Sequence, residues 1–184
     1  MNNEELIRLC KQGNRQAEKE LFFRFAGKVL SICRRYASSE QEAKDYMQES
    51  FLQIFKNIKK FKSEKGEFEG WLFKVCTNKV LDILKNKKKN IRIVYMEILP
   101  DVFEDSNDSI ENLISIDDLL LCIQALPNGY RTILNLYVFE GLRHQEIAEE
   151  LNISVGTSRS QYSRAKILLR QIILKKTGVK YERC

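Results

Sequence analysis

The chain has 184 residues, 43% of them hydrophobic and 30% charged, which is the composition of a soluble globular protein with room for one ordinary domain or two small ones. Its 8 glycines and 2 prolines are too few for a turn-rich β architecture. The net charge of +6 is segregated: residues 56–92 carry 12 basic and 4 acidic side chains, residues 93–130 carry 8 acids and no base, and residues 131–184 carry 10 bases and 5 acids. Two basic blocks parted by an acidic one point to two polyanion-binding modules and a connector that avoids them; solvated surface charge is the plainer alternative.

The N-terminal segment Met1–Cys10 is polar and acidic, without the apolar core of a leader. No stretch approaches the roughly 20 apolar residues of a membrane span, so a cytoplasmic protein without membrane insertion is expected. The five cysteines, Cys10, Cys33, Cys76, Cys122 and Cys184, have no metal-ligand spacing, and His144 is the only histidine. Buried reduced thiols are the expectation, with no metal and no cofactor.

In chain order, residues 3–12 form a short amphipathic helix closed by Gly13, and residues 15–36 a second, with Leu21, Phe25, Val29, Ile32 and Tyr36 at helical spacing. Ser39 suits the N-cap of a third helix, Glu40–Lys60, whose apolar face is Ala43, Met47, Phe51, Ile54, Phe55 and Ile58. Phe61–Gly70 reads as a loop and Trp71–Lys88 as a helix. Periodicity fades over residues 90–112, where Pro100 and the Ser106–Ser109 cluster indicate an extended linker. Helices resume at Leu113–Ala125 and again after Pro127, ending near Glu140 with Gly141 as cap. The fold class expected is all-α: an N-terminal helical bundle over 1–92, a flexible acidic linker over 93–112 and a C-terminal helical domain over 113–184.

Residues 141–170 have the ingredients of a helix-turn-helix. Ala148 is small where the second helix must cross, Asn152 tolerates positive φ at the turn, and Ile147, Leu151 and Ile153 close the core. Ser154 caps a second helix, Val155–Lys175, that projects Arg159, Ser160, Gln161, Ser163 and Arg164. Arg and Gln read base edges in a major groove, while Ser and Lys suit phosphates. An ordinary helical hairpin with charged outer faces is the alternative. Ser158 departs from the pattern, since that position usually turns an apolar residue, commonly valine, into the core.

Two N-terminal segments carry a resemblance. Asp45-Tyr46-Met47-Gln48-Glu49-Ser50-Phe51-Leu52 resembles the polymerase-binding helix of sigma factors, D-x-x-Q-E-x-F-x. Gly70-Trp71-Leu72-Phe73-Lys74-Val75-Cys76-Thr77-Asn78, with Asp82 and a Lys-rich end, resembles their promoter-melting segment, T-W-L-x-x-I-A-x-N-x-x-x-D-x-x-R. Gly13-Asn14-Arg15-Gln16-Ala17 is similar to a G-D-x-x-A opening. With the helix-turn-helix, order and spacing resemble the extracytoplasmic function (ECF) subfamily of sigma-70 factors over about residues 4–172, the linker only in character.

The resemblance implies a protein without catalytic residues that binds core RNA polymerase and promoter DNA. The first domain would hold the −10 element, with Phe61, Lys62, Ser63, Phe68 and Asn78 at a flipped-base pocket and Lys85, Lys88 and Lys89, alongside Lys87 and Arg92, on phosphates. Asp45, Gln48, Glu49 and Gln53 would meet the clamp coiled coil of the largest polymerase subunit. Ser154, Thr157, Arg159, Ser160, Gln161, Ser163 and Arg164 would face the −35 element, with the flap of the other large subunit as a second contact. An anti-sigma factor is a possible further partner. On residue type alone, Asn78 would be an exposed helix residue, Asp82 an ion-pair partner and Trp71 a core aromatic. A stand-alone regulator with a C-terminal helix-turn-helix accounts for residues 113–184 equally well but leaves the two N-terminal segments unexplained. A nuclease would need clustered carboxylates on a preorganised site, whereas the acids here gather in the linker.

Overall fold

The computed structural model describes residues 2–89 and 114–178, apart from the side chains of Lys65, Lys88 and Lys89. The described residues are helical or connecting, with no strand among them. They fall in two compact units, one within Met1–Val94 and the other within Tyr95–Cys184. The linker expected over 93–112 lies outside the described residues, as do Arg92 and Cys184.

The first unit is a bundle of α1 (Asn3–Lys11), α2 (Arg15–Tyr36), α3 (Glu40–Asn57) and α4 (Phe68–Lys89). Asn14 caps α2 by accepting from the Gln16 and Ala17 amides at 3.0 Å each, and Ser39 caps α3 by accepting from Glu42 N–H at 3.1 Å. α3 packs against both α2 and α4. It therefore buries a wider stripe than one apolar face: Ala43, Tyr46, Ser50, Phe51 and Ile54 are buried, while Met47 and Phe55 are half-buried. The helix expected to run to Lys60 tightens after Asn57 into a 3₁₀ turn, Ile58–Lys60. α4 starts at Phe68, three residues before the expected Trp71, because Phe68 turns inward onto Phe25 and Phe61. The buried thiols of Cys33 and Cys76 meet at 3.8 Å between α2 and α4.

The second unit comprises α5 (Ile116–Gln124), α6 (Asn128–Val138), α7 (His144–Leu151) and α8 (Val155–Thr177). Its core joins Ile123, Leu126, Leu134 and Ala165, with Leu168, Leu169 and Ile172 of α8 packed against them. Pro127 stands just before α6, and α6 stops at Val138, two residues short of expectation. Arg131, 1% exposed, is a buried cation that the apolar pattern does not reveal. Its guanidinium donates to the Gln124 carbonyl at 2.5 Å and to Asn128 Oδ1, tying the end of α5 to the start of α6. That use of an arginine satisfies a carbonyl left open at a helix end.

Candidate nucleic-acid interface

In the second unit, α7 and α8 are joined by Asn152 at φ 53°, ψ 54°, the left-handed conformation that an asparagine adopts more readily than most side chains. Ile147 is fully buried and Ala148 nearly so, while Leu151 and Ile153 are half-buried. α7 opens with the Glu146 carboxylate accepting from Arg143 N–H at 2.7 Å. Ser154 caps α8 by accepting from Thr157 N–H at 2.9 Å, and the two hydroxyls lie 2.8 Å apart. Ser160 donates to the Thr157 carbonyl at 3.1 Å.

The sequence-predicted recognition residues divide along this helix. Arg159, Ser160, Ser163 and Arg164 are exposed, as is the capping Ser154. Thr157 is half-buried in the cap. Gln161 is half-buried, and its Oε1 lies over Gly129 of α6, where a side chain in place of the glycine would meet it at 3.5 Å. The side chains most open to a groove are thus two arginines and two serines on adjoining turns.

Ser158 is buried at 0% exposure, so this position does face the core although it carries a hydroxyl. Its Oγ lies 2.9 Å from His144 Nδ1. The imidazole stacks on Tyr137 at 4.7 Å between centroids and meets Tyr162 at 5.6 Å, and the two tyrosines are 4.4 Å apart. Burial first, and then the Arg159 charge, push the imidazole below its ordinary pKa. Sequence reading singled out Ser158 as odd but could not find its partner, which lies 14 residues away on another helix.

In the first unit, the chain between the Ile58–Lys60 turn and α4 is held by aromatic packing. Phe61 and Phe68 are each 7% exposed; their rings meet at 5.2 Å, and Trp71 lies within 5.6 Å of both. Lys11 of α1 donates to the Phe61 carbonyl at 2.8 Å and lies over its ring. Between these anchors Lys62, Ser63 and Glu64 are exposed, and Gly66 turns the chain at φ 130°, a conformation other residues rarely adopt. Along α4, Asn78 and Asp82 are exposed, and Lys85 is half-buried. Lys88 and Lys89 end α4, their side chains lying outside the described residues.

Lys87, expected on phosphate, has an internal partner instead. Its ammonium is 2.6 Å from Glu42 Oε1 and 5.1 Å from the centre of the Tyr46 ring, pinning the end of α4 to α3. Tyr46 donates to the same carboxylate at 2.8 Å, and Ser38 N–H donates to its other oxygen at 2.5 Å. Burial opposes the Glu42 charge, but Lys87, the Ser38 amide and Tyr46 outweigh it and hold the carboxyl at about 2.

On α3, Asp45, Gln48 and Glu49 are exposed on one face together with Leu52, which is 66% exposed; Gln53 is half-buried. Gln41 donates to Asp45 at 3.1 Å, and Glu49 pairs with Lys79 of α4 at 2.9 Å. The apolar Leu52 stands in this polar row, off the apolar face of the helix that the sequence marks.

Two family models match the chain: Sigma-70 region 2 over residues 21–90 and Sigma-70, region 4 over residues 116–169. The chain is 29% identical over 178 residues to the ECF RNA polymerase sigma factor SigW of Bacillus subtilis, covering 90% of this chain and 93% of that one. It is 30% identical over 133 residues to the RNA polymerase sigma factor SigZ of the same organism, covering 70% of this chain and 71% of that one. The match to the ECF RNA polymerase sigma factor SigE of Mycolicibacterium smegmatis, 29% over 163 residues, takes in 85% of this chain but spans only 61% of that longer relative. Among solved structures, that of the sigma factor RpoE in complex with the anti-sigma factor NepR from Bartonella quintana matches in fold, with a TM-score of 0.51 and 15% identity over 84% of this chain and 95% of that one.

Proposed function

Since this chain belongs to the sigma-70 family as an ECF sigma factor, a non-enzymatic protein of promoter recognition by RNA polymerase, we propose how its residues divide that work. In this reading residues 1–92 serve the polymerase and the −10 element, and residues 113–184 the −35 element, joined by the acidic stretch 93–112. The polar row Asp45, Gln48 and Glu49, with Leu52 beside it, docks on the clamp coiled coil of the largest subunit. The second unit meets the flap of the other large subunit and lays α8 in the −35 major groove, where Arg159 reads a base edge. Residues 93–112, purely acidic among their charged positions, suit a positively charged channel of the polymerase.

One observation carries the −10 assignment: Asn78 is exposed on α4, on the helix whose first turn the aromatic anchors fix beside the exposed Lys62, Ser63 and Glu64. An amide there can pair with the edge of a base drawn out of the duplex. Phe61 and Phe68, being buried, hold the loop in place instead of stacking on a base. Asn78→Ala should reduce open-complex formation about tenfold, the loss of one well-placed base contact, with little effect on assembly with core polymerase. Equal losses in both would remove Asn78 from the pocket.

An anti-sigma protein is the further partner this reading includes, the related fold having been solved with one. The reading places the protein in the cytoplasm with its polymerase; among the described residues no helix is long and apolar enough to cross a membrane.

A further inference from the structure

We propose that Ser158 and His144 form a specificity-determining clasp that sets the rotation of α8 and thereby which base edges Arg159 and its neighbours meet. The inference rests on the reading of α8 as the base-reading helix and deepens it.

The two residues are a polar pair that links α7 to α8. Ser158 is fully buried four residues into α8, a helix that packs on both α6 and α7. An apolar side chain there would be held by volume alone and would tolerate small rotations of the helix. A hydroxyl at 2.9 Å from an imidazole nitrogen is held by direction as well as distance. The imidazole is itself fixed, stacked on Tyr137 of α6 and against Tyr162 of α8, one turn beyond Ser158. Three helices therefore meet at one ring. The pair bonds in either neutral tautomer, with Nδ1 accepting from the hydroxyl or donating to it.

Arg159 follows Ser158 directly and is exposed, so its direction out of the unit is fixed by how far Ser158 is turned inward. Base discrimination requires placement within about 10–20°. His144 and Ser158 thus act as positioning residues, and neither needs to touch DNA.

The comparison that isolates the hydroxyl is Ser158→Thr against Ser158→Val, which share a shape and differ in the donor. Ser158→Ala serves if the larger side chains disturb the fold. Each full-length variant, assembled with core polymerase, is offered a duplex library randomised across the −35 region, and the bound fraction is sequenced; melting curves accompany each. We expect the wild type and Ser158→Thr to select the same bases. Ser158→Val, Ser158→Ala and His144→Phe should shift or flatten the preference at one or two positions by about tenfold, with overall duplex affinity kept. Loss of stability with an unchanged base preference in all three would make the pair merely structural and overturn the proposal. Selection of no −35 motif by the wild type would overturn the base-reading assignment of α8 and the clasp with it.

Discussion

Protonating Glu42 removes the charge that holds Lys87, Tyr46 and the Ser38 amide around it. Because its folded pKa of about 2 lies below the ordinary 4.5, the stabilisation is fully present above pH 4.5 and is lost as pH falls between the two values. Part of the shift is screened, Lys87 being half exposed, so about 2 kcal/mol is at stake. Denaturant titrations at neutral pH and near pH 3 should show more than half of that loss in the wild type and a smaller one in Glu42→Gln; equal acid losses would assign it to other carboxylates. Arg131 tests a different balance. Its removal leaves the Gln124 carbonyl and Asn128 without their donor in a buried place, so Arg131→Ala should cost about 3 kcal/mol in thermal melts. A change below about 0.5 kcal/mol would mean that solvent takes over both partners.

Among the elements, α2 and the α7–α8 turn were legible from local chemical signals, whereas α5 begins three residues later than expected, behind the Ser115 cap, and the start of α4 is set by packing. Arg15–Tyr36 was bounded correctly because Asn14 caps it and its apolar spacing is unbroken. Asn152, chosen for its tolerance of positive φ, does occupy the left-handed region. Phe68 gave no sign that it opens α4, since only the aromatic rings around it, from elements distant in sequence, draw it inward. The same holds within the candidate site. Exposure of Arg159 and Arg164 followed from helical spacing, whereas the Lys87–Glu42 pair and the Ser158–His144 bond join different helices and leave no periodic trace. Asn152 also offers a test at this scale. Asn152→Gly should leave stability within a few tenths of a kcal/mol, while Asn152→Ala should cost about 1 kcal/mol by denaturant midpoint, with weaker duplex binding. An alanine variant as stable as the wild type would show that the turn can be made without the left-handed residue.

At the scale of the molecule, charge segregation was the broadest sequence signal, and some cations of its basic blocks also pair with carboxylates of their own unit. Of the 12 basic side chains of residues 56–92, Lys87 pairs with Glu42 and Lys79 with Glu49. Salt dependence of promoter binding by the assembled holoenzyme separates the two kinds. Lys62→Ala, which removes an exposed loop cation, should lower the log–log slope by about 0.9 if that cation meets a phosphate. Lys87→Ala should leave the slope unchanged while lowering stability. The reverse result would mean that DNA displaces Glu42 from Lys87.

Helix α8 has one further consequence. Its 23 residues extend about 35 Å, so one helix carries the proposed reading residues at one end and packs beneath α5 at the other, where Lys176 meets Asp118 at 2.7 Å. The buried residues of that helix, Ser158, Ala165 and Ile173, recur along one side of it. On the reading proposed for α8, substitutions at the exposed Arg159, Ser160, Ser163 and Arg164 would change which promoters are chosen at almost no cost in folding.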